Sequence, residues 1–309
     1  MRDTFVKTLC NMAMEDENIY LLSGDLGFGV LDKFWNTYPD RFINMGICEQ
    51  NMASVAAGMG LEGKNVFTYS IANFPTLRCI EQIRNDIAYH KANVKVVAVG
   101  GGFAYGALGM SHHATEDIAI LRALPEMTVF TPCDPMETKV VTRLAARMDT
   151  PCYIRLGRGG EKNLHQEEID FAIGTSNILR EGSDIAILVA GAIASEAVSV
   201  SDMLKKYNIS CAVYSFPTVK PIDQECIVDV ANKVDIIFTL EEHNIIGGLG
   251  SAVSEVVAGR KTRACVVRLG LNDEYTSKVG SQQYLRKAYG IDALSINKRI
   301  LSELGKMVY

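Results

Sequence analysis

An isolated carboxylate is the first residue in the sequence that could do chemistry. Glu49 is the only acidic residue between Arg41 and Gly60, and it precedes a predicted helix at 51–60 made largely of Ala, Ser, Gly and Met. The helix dipole explains such a residue, because it favours an acid in the first turn. A carboxylate in apolar surroundings is equally a candidate for proton transfer. The residues alone leave both interpretations open.

Two further segments place aromatic and imidazole groups after predicted strands. Tyr69 and Phe74 stand between a strand at 66–69 and a helix at 77–91. They can sandwich a flat ligand, although the residues alone favour a plug at the domain edge. A glycine-rich loop starting at 100 ends in His112 and His113, just before an acidic helix start. This position favours a cleft, and two histidines are too few for a metal site.

A cationic side chain follows another predicted strand. Arg158 stands among glycines beyond a strand at 152–156. An arginine in such a loop can bind an anionic substrate group through two parallel hydrogen bonds, and an interdomain salt bridge is the alternative. The segment at 241–250 is a glycine-rich helix entry, for which we favour close packing over anion binding.

These segments need a scaffold that brings strand ends together. Apolar stretches of strand length, such as 94–99 and 185–189, alternate with helical patterns along the whole chain. Continuous apolar strands between amphipathic helices indicate a mostly parallel sheet covered on both faces. The alternation stops in a polar stretch at 157–175. The sequence therefore predicts two doubly wound α/β domains, at 1–165 and 176–309.

Composition narrows the class of protein. The 309 residues include 31 Lys and Arg against 36 Asp and Glu, for a net charge of −5. This balance leaves no basic surplus for nucleic acid. Eight scattered cysteines without a C-x-x-C pair predict neither a metal centre nor disulfides. With an apolar stretch at 185–194 too short to span a bilayer and no signal segment, we expect a soluble cytoplasmic protein without a membrane partner.

In this order along the chain, the segments resemble the C-terminal half of transketolase, in the form that is split over two chains. The most specific stretches are NMGICEQNMASVAAGMGLEG, YSIANFPTLRCIEQIRND, ALGMSHHATEDIAILRALPEMTVFTPCDP and EEHNIIGGLGSAVSEV. The resemblance covers essentially the whole chain. It implies a pyrimidine-binding domain, a transketolase C-terminal domain, thiamine diphosphate as cofactor, and transfer of a two-carbon ketol unit from a ketose to an aldehyde.

The resemblance also implies roles for the candidate residues. Glu49 matches the glutamate that holds N1′ of the aminopyrimidine ring of thiamine diphosphate and exchanges a proton with it. Tyr69 and Phe74 match aromatic residues that stack on that ring. The other matches are an aspartate near the cofactor at the subunit interface, neighbouring histidines at the reacting sugar, and two arginines for its phosphate: Asp25, His112 and His113, Arg158 and Arg2.

Three positions depart from the family pattern. Leu108 stands where relatives carry an aspartate that binds the C2 hydroxyl of the substrate, and leucine cannot form that hydrogen bond. Gly100 replaces a phosphate-contacting histidine, and Gly29 replaces a serine. The cofactor pocket is therefore expected to be preserved while the substrate pocket is altered. We expect a non-standard ketose or aldehyde, unphosphorylated or carrying a bulkier group such as a nucleotide-linked sugar.

The resemblance implies a partner chain as well. Transketolases bind Mg²⁺ and the diphosphate through a G-D-G…N motif, and Gly24-Asp25-Leu26 lacks its second glycine and downstream asparagine. We expect an N-terminal transketolase-type subunit to supply that side, in a heterotetramer with two copies of each chain. The alternatives are the β subunit of a 2-oxo acid dehydrogenase, a deoxyxylulose phosphate synthase-like enzyme, and a non-catalytic regulatory paralogue.

Overall fold

The computed structural model describes residues 1–306. Its strands are β1 (Ile19–Ser23), β2 (Phe42–Asn44), β3 (Asn65–Ile71), β4 (Val94–Val99), β5 (Thr128–Phe130), β6 (Cys152–Leu156), β7 (Asn177–Arg180), β8 (Ile185–Ala190), β9 (Cys211–Ser215), β10 (Thr218–Lys220), β11 (Ile236–Asn244) and β12 (Cys265–Leu271). They form a seven-stranded sheet in the order β10-β5-β6-β4-β3-β1-β2 and a five-stranded sheet in the order β12-β11-β8-β9-β7.

Both sheets are parallel except at one edge each. β10 runs antiparallel to β5 in the first sheet, and β7 runs antiparallel to β9 in the second. All other strand pairs are parallel. The prediction of two doubly wound α/β domains with mostly parallel sheets is confirmed.

Helices cover both faces of each sheet. They are α1 (Arg2–Glu15), α2 (Asp32–Thr37), α3 (Glu49–Leu61), α4 (Ile80–Gln82), α5 (Asp117–Ala123), α6 (Pro135–Arg147), α7 (Ala194–Leu204), α8 (Gln224–Lys233), α9 (Leu249–Ala258), α10 (Gln282–Ala288) and α11 (Ala293–Glu303). In the first domain, α1 and α6 pack on one face of the sheet and α3 on the other. β4, with both faces covered, is buried along its whole length, as its run of Val and Ala predicts.

The helix predicted at 77–91 has an irregular form. It begins as a 3₁₀ turn at Leu77–Cys79, passes through the single turn of α4, and continues as a π-helix at Ile83–Ala88. π-helical turns inside helices are frequent at functional sites. This segment packs against α3 and follows the end of β3, so it contributes to the edge where the candidate site lies.

A segment without helix or strand joins the domains. β6 ends at Leu156 and β7 begins at Asn177, with only bends and turns between them. The second half of the chain nevertheless returns to the first sheet, because β10 pairs with β5 at its edge. Among residues 1–306, no helix is both long enough and apolar enough to cross a membrane.

Candidate active site

The predicted site residues gather at one edge of the seven-stranded sheet. Since β1, β3, β4 and β6 are parallel, their carboxyl ends meet at this edge. Asp25 follows β1, Phe74 follows β3 and the loop bearing His112 follows β4. Arg158 lies just beyond β6. Ligands of open α/β sheets bind outside the carboxyl ends of the strands, which makes this edge the candidate active site.

Glu49 is the first residue of α3, and only 1% of its side chain is exposed. Its Oε2 accepts a hydrogen bond from Arg78 Nη1 at 2.6 Å, and its Oε1 accepts one from Ser70 Oγ at 3.2 Å. Gly24 leaves room for the carboxylate, because a Cβ at that position would lie 3.3 Å from Oε1. A buried carboxylate is retained only where it is paired and hydrogen-bonded, so this geometry fixes Glu49 at the junction of α3, β1 and β3.

Ser70 and Arg78 are partners that sequence reasoning does not identify. They lie 21 and 29 residues from Glu49, at separations that match neither helical nor strand periodicity. The only local signal is a single arginine in a mainly apolar turn. Folding brings both groups to Glu49, because β3 and the helix after it run past the start of α3.

A succession of contacts links Glu49 to the histidine loop. The guanidinium carbon of Arg78 lies 4.8 Å from the centre of the Phe74 ring. The edge of the His112 ring approaches the same ring, with 5.1 Å between centroids and 72° between planes. Phe74 and His112 are only partly buried. Two side chains next to the buried carboxylate are therefore open to a ligand.

Tyr69 lies on the opposite face of the sheet. Successive side chains of a strand point to opposite faces, and Ser70 points towards Glu49. The Tyr69 ring is 1% exposed and stacks on Phe5 of α1, with 6.1 Å between centroids and 16° between planes. Burial raises the pKa of its hydroxyl. Of the two aromatics predicted to stack on a cofactor ring, the structure places only Phe74 on the Glu49 side.

The two adjacent histidines have different environments. His112 is partly exposed, with Nδ1 3.0 Å from Ser111 Oγ. His113 is 1% exposed, with Nδ1 2.7 Å from Thr276 Oγ1 and Nε2 3.4 Å from the carbonyl oxygen of Gly106. Burial lowers the pKa of His113. This differs from the prediction of two substrate-facing histidines: His113 fixes the loop to the second half of the chain, and His112 alone stays open.

Asp25 is held in the loop after β1 with a left-handed backbone, at a φ of 55°. Its Oδ1 accepts a hydrogen bond from Asn44 Nδ2 at 2.9 Å, and its N–H donates to Asn44 Oδ1 at 3.1 Å. In the loops after β1 and β2, Phe28 and Ile47 are 70% and 75% exposed. Asp25 is thus fixed on an exposed and partly apolar surface.

The two predicted anion-binding arginines approach a common region. The guanidinium carbon of Arg158 lies 5.1 Å from the centre of the Tyr105 ring. At the next residue, Gly159, an added Cβ would lie 3.7 Å from Arg2 Nη2. Arg2 Nε also donates to the exposed Asp3 at 3.0 Å. Both guanidinium groups are therefore available at the strand edge.

Arg155, rather than Arg158, connects the two halves of the chain. Its Nε pairs with Asp117 Oδ2 at 2.8 Å, and its Nη2 donates to the carbonyl of Glu242 at 3.0 Å. The Arg155 side chain is 5% exposed, whereas Arg158 is exposed. The interdomain alternative considered for Arg158 therefore describes its neighbour.

The glycine-rich helix entry at 241–250 is closed by the chain itself. Glu241 accepts hydrogen bonds from the backbone N–H groups of Leu249 and Gly250, at 2.8 and 2.9 Å. Burial raises the pKa of Glu241. Because an internal carboxyl group occupies the start of α9, this geometry favours close packing over binding of an external anion.

Folding brings together one group of possible metal ligands that sequence spacing does not reveal. Donor atoms of Cys133, Glu137 and His165 all lie within 4.8 Å of one another. The fully buried Glu137 carboxylate accepts hydrogen bonds on both oxygens, including bonds from Asn177 and Ser215. With its oxygens occupied, this group is a hydrogen-bonded network, and we assign no metal to it.

Comparison with known proteins identifies the family. Residues 1–161 match the transketolase pyrimidine binding domain, and residues 174–296 match the transketolase C-terminal domain. The chain belongs to the transketolase family. It is 40% identical over 309 residues to a putative transketolase C-terminal section from Methanocaldococcus jannaschii, an alignment that covers 99% of this chain and 96% of that protein.

Two further transketolases have matching length. One of the two subunits of an apulose-4-phosphate transketolase from Phocaeicola vulgatus is 34% identical over 307 residues, covering 99% of this chain and 97% of that protein. A solved structure of a split-gene transketolase, an inactive beta4 tetramer, has a TM-score of 0.88 and 37% identity, covering 98% of this chain and 97% of that one. The resemblance seen in the sequence motifs is confirmed.

The transketolase family implies thiamine diphosphate, and the residues present fit one side of it. Glu49 supplies a buried carboxylate for a ring nitrogen, Gly24 leaves space beside that carboxylate, and Phe74 offers a partly open ring. The diphosphate side is different, because Asp25 is bonded to Asn44 and no other carboxylate joins it in the described residues. The chain therefore fits the aminopyrimidine and not the Mg²⁺-diphosphate group.

Proposed function

We propose that this chain is the C-terminal, β-type subunit of a thiamine diphosphate-dependent transketolase, a transferase that moves a two-carbon ketol unit from a ketose to an aldehyde. The observation that carries the proposal is the buried Glu49 carboxylate next to the partly open Phe74 and His112. A buried charge is costly to a fold, so a purely structural paralogue has no reason to keep it at a ligand-binding edge. This favours catalysis over a regulatory scaffold.

Each residue has a distinct task in this proposal. Bound thiamine diphosphate supplies the carbon nucleophile that breaks the bond next to a ketose carbonyl. Glu49 holds a proton at N1′ of the aminopyrimidine, and its burial keeps that proton from exchanging with bulk water. Arg78 and Ser70 fix the carboxylate, Phe74 packs on the ring, and His112 forms a hydrogen bond with an oxygen of the sugar.

A second polypeptide completes the site in this proposal. The chain presents the exposed apolar residues Phe28 and Ile47 beside Asp25, as a surface that another protein covers. A related split-gene transketolase consisting of beta chains alone is inactive. An N-terminal transketolase-type subunit would bring the diphosphate and Mg²⁺ side, with two copies of each chain in a heterotetramer. All eight cysteines are free, which fits a cytoplasmic enzyme.

The substrate is proposed to be a non-standard sugar. Leu108, where family members carry a hydroxyl-binding aspartate, is 55% exposed in the loop before His112. It offers an apolar contact instead of a hydrogen bond. A relative of the same length acts on apulose 4-phosphate, which is consistent with altered sugar recognition in this branch of the family.

Reconstitution tests the proposal. The chain is combined with a subunit carrying G-D-G…N, thiamine diphosphate and Mg²⁺, and ketol transfer is measured with a panel of ketoses. We expect no turnover by the chain alone and turnover by the complex. Glu49→Gln should lower kcat by roughly 10²–10⁴-fold, because proton transfer at N1′ is lost. Glu62→Gln, at the exposed C-terminal end of the same helix, is the matched control.

Other outcomes identify the alternatives. Undiminished activity of the Glu49→Gln complex would show a non-catalytic chain. Pyruvate as the donor would show a deoxyxylulose phosphate synthase-like enzyme, and transfer to a lipoyl domain would show a 2-oxo acid dehydrogenase subunit. Efficient turnover of xylulose 5-phosphate with ribose 5-phosphate would contradict the non-standard substrate.

A further inference from the structure

The position that lacks the family histidine is filled by a neighbouring ring. Gly100 has a φ of +95°, and a Cβ there would lie 2.2 and 2.3 Å from two ring carbons of Tyr105. No side chain can stand at position 100 while the Tyr105 ring lies against it. The tyrosine therefore takes the volume that a residue at position 100 would use.

The same ring lies among the cationic groups of the site. Arg158 is placed over it, with its guanidinium carbon 5.1 Å from the ring centre. Burial raises the pKa of the Tyr105 hydroxyl, while the charges of Arg158 and Arg2 act in the opposite direction. The phenol oxygen is thus within electrostatic reach of both guanidinium groups. Tyr105 is only partly buried, so its hydroxyl is accessible to a ligand.

Two carboxylates lie near these cations, and both have partners. Asp3 is exposed and bonds to Arg2 Nε. Glu161 pairs with the amino group of Met1 at 2.9 Å. Within residues 1–306, no carboxylate forms an ion pair with Arg158. The guanidinium of Arg158 and the remaining N–H groups of Arg2 can therefore bind an anion.

We propose that Tyr105 is a specificity-determining residue that binds, together with Arg2 and Arg158, a tetrahedral oxyanion at the end of the sugar substrate. This inference rests on the proposed transketolase function. The phenol supplies a hydrogen bond from the volume next to Gly100, so the glycine changes the donor and does not abolish anion binding. The substrate class is a sugar with a terminal phosphate or sulfonate, in place of the unphosphorylated sugar considered from the sequence.

Binding of small anions tests this role without turnover. Inorganic phosphate and sulfate are titrated calorimetrically into the reconstituted two-chain enzyme carrying Tyr105→Phe, which keeps the ring and removes the hydroxyl. We expect the Kd of the preferred anion to rise about 10-fold, the effect of one lost hydrogen bond to a charged group. Tyr207→Phe, in the second half of the chain, is the matched control and should leave the Kd unchanged.

Kinetics with paired substrates gives the second readout. Tyr105→Phe should raise KM about 10-fold for a ketose with a terminal oxyanion and less than about 2-fold for its neutral analogue, because only the charged ketose loses a hydrogen bond. Equal effects on both ketoses, or an unchanged Kd, would overturn the role of Tyr105 while leaving transketolase activity intact. A response of the anion Kd in an enzyme that transfers no ketol unit would support the anion subsite and refute the proposed function instead.

Discussion

Removing the charge that faces Glu49 should destabilise the fold by a measurable amount. Loss of one partner from a fully buried ion pair costs about 3–5 kcal/mol. Here only the carboxylate is buried, at 1% exposure, while the Arg78 side chain is 44% exposed and screened by water. We therefore expect Arg78→Met to lower the free energy of unfolding by about 1–2 kcal/mol, with the methionine retaining contact with the Phe74 ring.

A double-mutant cycle isolates the ion pair from other effects of the substitution. Urea unfolding is followed by circular dichroism for the wild type, Arg78→Met, Glu49→Gln and the double variant. Because Glu49→Gln removes the charge that Arg78 neutralises, the coupling energy should be about 1–2 kcal/mol. The control is Arg84→Met, an exposed arginine in the same helical segment that bonds to Asn85. It should change stability by less than about 0.5 kcal/mol.

Two results would refute this reasoning. A coupling energy below about 0.3 kcal/mol would mean that Arg78 and Glu49 are energetically independent despite the 2.6 Å contact. An equal loss of stability in Arg84→Met would mean that the helical segment, and not the ion pair, responds to the loss of an arginine.

Two further predictions concern stability. Gly100→Ala should lower the free energy of unfolding by about 2–4 kcal/mol in urea, because the methyl group meets the Tyr105 ring at a positive φ. Gly46→Ala, with a φ of +70° and no atom within 4 Å of its Cβ position, should show only the smaller backbone effect. Burial opposes protonation of His165, but the hydrogen bond and charge of Glu137 raise the pKa of His165 above 6.5. This pair should therefore stabilise the fold fully below about pH 6.5 and lose that contribution as pH rises through the raised value, and His165→Gln should remove this slope from urea midpoints measured between about pH 5 and 8.

The sheets were predictable because their signal is local. β1, β4, β6 and β9 follow continuous apolar runs, and their bounds coincide with the predicted strands. Glu49 was identifiable for a similar reason, since a single acid in a stretch of small residues contrasts with its neighbours. Local contrast therefore predicts which residues carry chemistry better than it predicts their partners.

What the sequence could not provide depends on one-residue differences in orientation. Ser70 and Tyr69 are adjacent, but strand alternation sends one side chain to Glu49 and the other to Phe5. His112 and His113 likewise separate into an open and a buried side chain. These choices depend on packing between distant elements, which no short pattern contains.

The antiparallel strand β10 has a consequence for the inheritance of the two domains. Thr218 and Lys220 pair with β5, so a short strand of the second half finishes the sheet of the first. A first domain separated from the second would expose the backbone of β5 as an unpaired edge, open to pairing with another molecule. Exchange of domains between relatives therefore succeeds only when the incoming second domain carries a strand matched to the resident β5, which couples the sequences of the two domains in evolution.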